Sequence, residues 1–366
     1  MKIIITGGHL SPLLSVLEEL PKETSVLILG RKQALEGDKG ISLELKTLSE
    51  KNIPFRAIKT GRLQRKLTGR TFSSLLKFPL GFFQSIAILK KFHPDVVLSF
   101  GGYVSLPVTL AAFFLRIPVI IHEQTLGAGL ANKITSKFAK KVCISWESSR
   151  KFFPKEKTVL TGNPIRQFSR EAKSDFAKQI SNEKLPLIYI TGGSSGSHSI
   201  NILIEDILEK LLNKYRVIHQ VGDAWEFKDY ERLGKLNKSL SKELQRRYYL
   251  TKFVDPNDVG SILNSADLVI SRSGINTITE LIYFQKPALL IPLPYSQRGE
   301  QIENAKFLQS LGLAEVAFQN NITSEKLYQL VNSMIKNLNQ YKEKNKNSLI
   351  EKDAAKKIIE ICVKES

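Results

Sequence analysis

The chain has 366 residues, 42% hydrophobic and 24% charged, a length and composition that suit about two domains with ordinary cores. Cys143 and Cys362 are the two cysteines, too few for a disulfide scaffold, and no run of about 18 uncharged apolar residues offers a transmembrane helix. The net charge of +19 suits phosphorylated substrates or anionic lipid, and nucleic acid least, because no nucleic-acid motif accompanies it.

The opening MKIIITGG reads as a buried strand and turn without a signal-peptide cleavage pattern. Lys2 to Ile5 is the strand, Thr6-Gly7-Gly8-His9 a short turn of phosphate-binding type, and a helix follows from about Pro12 to Leu20. From the residues alone the turn is equally a plain tight turn with His9 bonded to a backbone carbonyl. Val26–Gly30 and Ile53–Ile58 are further strands, and Thr60 to Lys66 is a basic loop with Arg62 and Arg65. Phe72–Phe92 is apolar with Lys77, Lys90 and Lys91 interspersed, and Pro79 and Gly81 break it near the middle. It reads as a core helix or an interfacial one. Asp95–Phe100 is a strand that enters Gly101-Gly102-Tyr103-Val104-Ser105, where glycines let a ligand approach the backbone, and Pro107 opens a helix.

Pro118–Ile121 is a strand ending in His122-Glu123-Gln124-Thr125, with Gly127, Gly129 and a helix carrying Asn132 next. His122 and Glu123 read either as site residues or as a hydrogen-bonded structural pair. Val142–Ile144 reads as the last clear strand of this half; Val159-Leu160-Thr161 leads into Gly162-Asn163-Pro164-Ile165-Arg166. Arg166 is a candidate phosphate contact or a surface ion pair. Residues 169–184 suggest a peripheral helix.

Leu187–Thr191 is a strand followed at once by Gly192-Gly193-Ser194-Ser195-Gly196-Ser197 and a helix with Ile200, Leu203, Ile204, Ile207 and Leu211 on one stripe. Strand, glycine-serine turn and helix bind anions, yet neither a Walker motif nor a GxGxxG fingerprint is present. Strands follow at Val217–Val221 and Tyr249–Val254. Leu268–Ser271 leads through the turn Arg272-Ser273-Gly274 into a helix with Thr277 and Glu280; a strand at Pro287–Leu293 precedes a helix led by Glu300 and Gln301. A last strand near Glu315–Phe318 and terminal helices complete an α/β pattern of parallel strands. Ligands of such sheets bind beyond the carboxyl ends of the strands. Helix-start N–H groups for a phosphate and a carboxylate for a hydroxyl pair together suit a sugar nucleotide.

The segments TGGH, GGYVS, HEQ…GLAN, GNPIR, GGSSGS and RSGINTITE occur in one order over nearly the whole chain. In that order they resemble the MurG family, GT-B glycosyltransferases of family 28. The resemblance implies two Rossmann-like domains facing each other across a cleft. The acceptor and membrane domain is expected at 1–164, completed by a C-terminal helix at 345–366, and the UDP-sugar domain at 165–344. It implies inverting transfer of N-acetylglucosamine from UDP-N-acetylglucosamine to lipid I, giving lipid II for peptidoglycan synthesis. His9 and Glu123 are the implied catalytic residues. Arg166, Ser194, Ile275, Thr277, Glu280, Glu300 and Gln301 are implied at the donor, and Thr6, Gly7, Gly8, Tyr103, Thr125 and Asn132 at the acceptor. No metal and no cofactor is required, since no Asp-x-Asp clamp lies near these motifs. The implied partners are a lipid-linked diphosphate, an anionic membrane surface and cell-wall synthesis proteins, without nucleic acid. The implied location is peripheral, on the cytoplasmic face of the bacterial membrane.

Three departures from the family pattern leave alternatives open. The first loop is TGGH where the family has GGTGGH, Thr125 stands for an asparagine, and Glu300 stands for a glutamine. The short loop and Thr125 fit a related GT-B transferase with another polyprenyl or lipid acceptor; a non-catalytic sugar-nucleotide-binding partner protein is a further alternative, against which the retention of His9, Glu123, Arg166, Glu280 and Gln301 argues. A UDP-N-acetylglucosamine 2-epimerase shares the fold and the nucleotide.

Overall fold

The short runs of Ile, Val and Leu become parallel strands buried on both faces, as β-branched residues in an open α/β sheet do. The computed structural model describes residues 1–31, 43–61, 77–165, 185–193, 196–224, 226–296, 299–343, 351 and 353–366. The first sheet holds β1 (Lys2–Thr6), β2 (Ser25–Gly30), β3 (Phe55–Ala57), β4 (Val96–Ser99), β5 (Val119–Glu123), β6 (Lys141–Ile144) and β7 (Thr158–Leu160). The second holds β8 (Leu187–Thr191), β9 (Arg216–Gln220), β10 (Tyr248–Thr251), β11 (Leu268–Ser271), β12 (Ala288–Leu290) and β13 (Ala314–Val316). Their orders are β3-β2-β1-β4-β5-β6-β7 and β10-β9-β8-β11-β12-β13, parallel throughout.

Each order reverses once, between β1 and β4 in the first sheet and between β8 and β11 in the second. Such a reversal sends neighbouring connections to opposite faces and opens a crevice at the strand ends. The register aligns the loops on either side of it. Thr6 is paired with Ser99, and Thr191 with Ser271. The chain therefore leaves TGGH and GGYVS side by side at one reversal, and Gly192-Gly193 beside Arg272 at the other.

The chain divides into two compact units, Met1–Arg166 with Glu351–Ser366, and Gln167–Ile350. In the first, alternate residues of β1 serve opposite faces. Ile4 packs with Val97, Val108 and Ile121, while Ile3 and Ile5 pack with Leu13, Val16 and Leu98. The Ala354–Glu365 helix completes that second face through Ala355, Ile358, Ile359 and Cys362. Cys362 and Cys143 are both free, buried thiols in this cluster.

Two expectations about elements are corrected. Val142–Ile144 is not the last strand of the first half: Thr158–Leu160 adds β7, paired with β6. A three-residue strand with one exposed side chain carries too little pattern to separate it from the connection that follows. Nor do Pro79 and Gly81 break a helix. The helix starts at Phe78, so Pro79 lies in its first turn, where a missing N–H costs nothing. Gly81 faces inward, where an added Cβ would stand 2.8 Å from Thr60 Cβ.

Candidate functional site

At the first reversal the two loops touch through backbone. A Cβ on Gly8 would sit 2.6 Å from the Gly101 carbonyl oxygen, so only glycine permits this approach. Thr6 and Ser99 hydroxyls meet at 3.0 Å beneath it. His9 is half-buried at the start of the Leu10–Glu19 helix, and its Nδ1 donates to the Phe100 carbonyl at 2.9 Å. The backbone-bonded reading of His9 is therefore what the structure contains. The same bond fixes the tautomer, because a carbonyl only accepts; Nε2 of the neutral ring is then left with its lone pair.

Beside this turn, Glu123 is 1% exposed at the end of β5. Its Oε1 accepts from the Thr125 N–H at 3.0 Å and the Thr125 hydroxyl at 2.7 Å. Its Oε2 accepts from the Gly129 N–H at 2.8 Å and Asn132 Nδ2 at 3.0 Å. Four donors thus hold a buried carboxylate and tie the strand end to the start of the Leu130–Thr135 helix. Asn132 Nδ2 also bonds the His122 carbonyl, and its Oδ1, buried without a partner, lies 2.9 Å from where a Gly101 Cβ would stand. Glu123, Thr125, Asn132, Gly101, Gly8 and His9 are thereby joined into one corner of the unit. His122 points the other way. Burial lowers its pKa to about 4, keeping it neutral, with Nε2 between the Gly162 carbonyl at 3.2 Å and the Ser145 hydroxyl at 3.1 Å. Tyr103 is half-buried on the apolar cluster around Val104 and Val108.

At the second reversal the glycine loop is set by close backbone packing. A Cβ on Gly196, whose φ is +73°, would stand 2.0 Å from the Val221 carbonyl oxygen. Thr191 Oγ1 accepts from the Gly193 N–H at 3.0 Å, and Gln220 Nε2 donates to the Gly193 carbonyl at 3.1 Å. A cavity of about 660 Å³ opens in front of this loop, walled by Gly193, His198, Arg272, Thr277 and Gln301 among others. Arg272 reaches it from the end of β11. Its guanidinium donates to the Ile291 carbonyl at 2.9 Å, and to Ser199 Oγ and Gln319 Oε1 at 2.7 Å each. It has no ion-pair partner among the described residues, and burial draws its pKa below the usual arginine value. Arginine stays charged regardless. A fixed cation thus faces the cavity beside the glycine loop.

The turn after Arg272 is bolted to the next helix. Ser273 Oγ donates to the Gln301 carbonyl at 2.7 Å, and buried Asn304 donates to the Ser273 carbonyl at 3.0 Å. Gln301 Oε1 accepts from the Leu293 N–H at 3.0 Å. Glu300 and Gln301 open the Glu300–Ser310 helix, both half-buried. On the Ile275–Phe284 helix, Ile275 is buried while Thr277 and Glu280 are half-buried. Arg166 and Ser194 lie outside the described residues, as does the basic segment 62–66. The sequence reading had Arg272 only as part of a turn, and did not single out Ser199, Gln319 or Asn304. A charged residue directly after a central strand was the available signal for Arg272.

The first unit also carries an exposed apolar ledge. Leu80 and Phe83 of the Phe78–Phe92 helix are 54% and 66% exposed, and Phe113 and Phe114 of the Ser105–Phe114 helix 50% and 67%. Phe82 lies between them, edge-on to Phe83 at 5.5 Å and to Phe114 at 5.8 Å, and packs into the core. Phe113 and Phe114 adjoin a hollow of about 650 Å³ lined by Arg116, Lys137, Lys140 and Lys157. Among the described residues no helix is long and apolar enough to cross a membrane, and no His, Cys, Asp and Glu group could hold a metal ion.

Comparison with known proteins matches this architecture along its length. Residues 3–144 match the glycosyltransferase family 28 N-terminal domain, and residues 187–360 the glycosyltransferase family 28 C-terminal domain. A Bacillus anthracis UDP-N-acetylglucosamine–N-acetylmuramyl-(pentapeptide) pyrophosphoryl-undecaprenol N-acetylglucosamine transferase is 34% identical over 94% of this chain and 92% of its own. The Clostridium kluyveri protein of the same name is 35% identical over 99% of each chain. The crystal structure of Acinetobacter baumannii MurG superposes with a TM-score of 0.73 at 28% identity, covering both chains completely. A Neisseria meningitidis UDP-GlcNAc 2-epimerase shares the fold, with a TM-score of 0.65 at 16% identity. Two Rossmann-like units, two family-28 domains and MurG relatives along the full length make one assignment: the chain has the GT-B fold and belongs to glycosyltransferase family 28, among the MurG proteins.

Proposed function

We propose that this protein transfers N-acetylglucosamine from UDP-N-acetylglucosamine to undecaprenyl-diphospho-N-acetylmuramoyl-pentapeptide, with inversion at the anomeric carbon. The observation that carries this reading is the pairing, at a sheet reversal, of a glycine loop with an arginine that has no carboxylate partner among the described residues. That is a seat for a nucleotide diphosphate, in a chain similar over its full length to transferases named for this donor and acceptor.

In this mechanism the acceptor hydroxyl attacks the sugar's anomeric carbon as the bond to the UDP oxygen breaks. His9 Nε2 takes the hydroxyl proton, the task its tautomer suits. The glycine-loop N–H groups and Arg272 stabilise the negative charge left on UDP. Glu123 acts through what it holds: its four bonds fix Thr125 and Asn132 against the loops that take the acceptor diphosphate. Thr6, Gly7, Gly8 and Tyr103 complete the acceptor side. Glu280 accepts from the ribose hydroxyls, Thr277 and Ile275 line the nucleotide, and Glu300 and Gln301 contact the sugar. Arg166 and Ser194 are further donor contacts in this reading.

The protein attaches to the cytoplasmic face of the membrane as a peripheral enzyme, through Leu80, Phe83, Phe113 and Phe114, with the neighbouring basic residues meeting anionic head groups. Cell-wall synthesis proteins are expected neighbours there.

A second reading, transfer to a different polyprenyl-diphosphate sugar, is favoured by the short TGGH loop, whose Gly8 is packed directly on Gly101. Purified protein with labelled UDP-N-acetylglucosamine should transfer label to lipid I faster than to other polyprenyl-diphosphate sugars. Faster transfer to another acceptor selects the second reading. No transfer to any of them, with UDP still bound, overturns both.

A further inference from the structure

We propose that His198, held by Asp229 and Phe227, is a cationic ligand to the diphosphate of the sugar nucleotide. This rests on the donor reading above and assigns a side chain that motif and family comparison leave unassigned. His198 is the first residue of the helix that follows the glycine loop, and it walls the same cavity as Gly193 and Arg272. Its Nδ1 lies 2.8 Å from Asp229 Oδ1, and its ring stacks on Phe227 with centroids 4.0 Å apart and planes 11° apart.

Asp229 is an unusual partner for a residue at a cavity wall. It is 5% exposed, and it is itself held by Asn201 Nδ2 and Arg232 Nη2, each at 2.6 Å. Those donors and the His198 contact pull its pKa down against the burial that pushes it up, so it remains a carboxylate. Asn201 in turn meets His219 at 3.1 Å, and His219 meets Tyr248 at 2.9 Å. The network fixes Asp229 from the inside and spends Nδ1 of His198 as a donor toward it. Nε2 is the ring edge left for the cavity. A ring that donates to a carboxylate at one nitrogen and to a phosphate at the other is an imidazolium. His198 and Arg272 then present two cations to a dianionic group, and the stacked Phe227 holds the imidazole plane.

The charged groups around the ring come from every neighbouring element. Asp229 and Arg232 lie on the Asp229–Ser239 helix, Glu205 on the same helix as His198 pairs with Arg232, and Arg272 comes from the end of β11. Beyond Asp229, Asp223, Lys228, Glu231 and Lys252 line a second hollow.

Two isosteres separate the ring's two edges. In His198→Asn the side-chain amide can replace Nδ1 toward Asp229 but reaches no further. In His198→Gln it can replace Nε2 but loses Asp229. Calorimetry with UDP and with uridine should show UDP affinity falling about 10- to 100-fold in His198→Asn, the range for a charged hydrogen bond, and uridine affinity changing less than about twofold. His198→Gln should recover part of the UDP loss. Wild-type UDP binding should also take up protons, visible as an enthalpy that varies with the buffer, and His198→Asn should not. Melting curves confirm that each variant is folded. A folded His198→Asn that binds UDP as tightly as wild type, or loses UDP and uridine equally, overturns the proposal and leaves His198 as a brace for its helix. Failure of the wild-type protein to bind UDP strikes the donor reading instead.

Discussion

Replacing Phe83 and Phe114 together by serine should release the protein from anionic vesicles without unfolding it. A phenylalanine side chain offers about 200 Å² of surface. With 66% and 67% exposed, each presents roughly 130 Å² to solvent. At about 25 cal/mol per Å², complete insertion of both contributes about 6 kcal/mol. Half-depth insertion contributes about 3 kcal/mol, or about 100-fold in vesicle partitioning. The cost to folding is smaller. The lost edge-on contacts to Phe82 are worth about 0.5–1.5 kcal/mol each, and little buried area goes with them. Phe82→Ser is the informative contrast, because Phe82 packs into the core and its loss should lower the melting temperature markedly. Sedimentation with phosphatidylglycerol vesicles reads attachment, and UDP calorimetry reads the integrity of the second unit. A folded double variant that still sediments like wild type refutes the ledge as the anchor.

Other outcomes follow from the site. Glu280→Gln should weaken UDP binding by about 1.5–3 kcal/mol, and unchanged affinity by calorimetry removes Glu280 from the ribose. His9→Ala should lower turnover by about 10²- to 10⁴-fold with UDP affinity intact; near-wild-type turnover removes His9 from proton transfer. Stability should fall on acidification. His122 is held neutral with its pKa lowered to about 4 and His219 to about 3, so below the ordinary histidine value of about 6.5 the unfolded chain binds more protons than the folded one. The stabilisation is complete above about pH 6.5 and is lost as pH falls toward 4, by about 3 kcal/mol for His122 alone. Denaturant melts of His122→Gln should show a shallower dependence over that window; an unchanged slope contradicts the buried neutral state.

The reversal loops were legible because glycines between a strand and a helix mark a close approach that a side chain would block. Gly8, Gly101, Gly192 and Gly196 each sit where a Cβ would collide with backbone or side chain. Polar contacts between distant segments were not legible. Nothing in the spacing of Arg272, Ser199 and Gln319 says that three segments converge on one guanidinium. The ledge was half-legible for a different reason. Periodicity marks apolar residues, and in SLPVTLAAFF only Ser105 and Thr109 are polar and both are buried, so the pattern separates no buried face from Phe113 and Phe114. Only the packing of the Phe78–Phe92 helix against this one decides which aromatics stay outside.

The two histidines near the reversals illustrate how a bonding partner sets a role that residue type leaves open. Both have Nδ1 engaged and stand at the first turn of a helix after a glycine loop. His9 donates to a neutral backbone carbonyl, which fixes a tautomer but adds no charge; the free nitrogen keeps a lone pair and suits accepting a proton. His198 faces a carboxylate that Asn201 and Arg232 keep in place, so in the proposed donor complex its other ring nitrogen is left to donate beside Arg272. In the proposed mechanism one arrangement would serve the attack of a hydroxyl, the other the departure of a diphosphate. Exchanging the partners tests this logic without touching either ring. Asp229→Asn should weaken UDP binding and spare uridine, following His198→Asn, because the charge that matters is then lost from behind the imidazole. If Asp229→Asn leaves UDP affinity intact in a folded protein, the carboxylate has no part in donor binding and serves only to join its helix to the glycine loop.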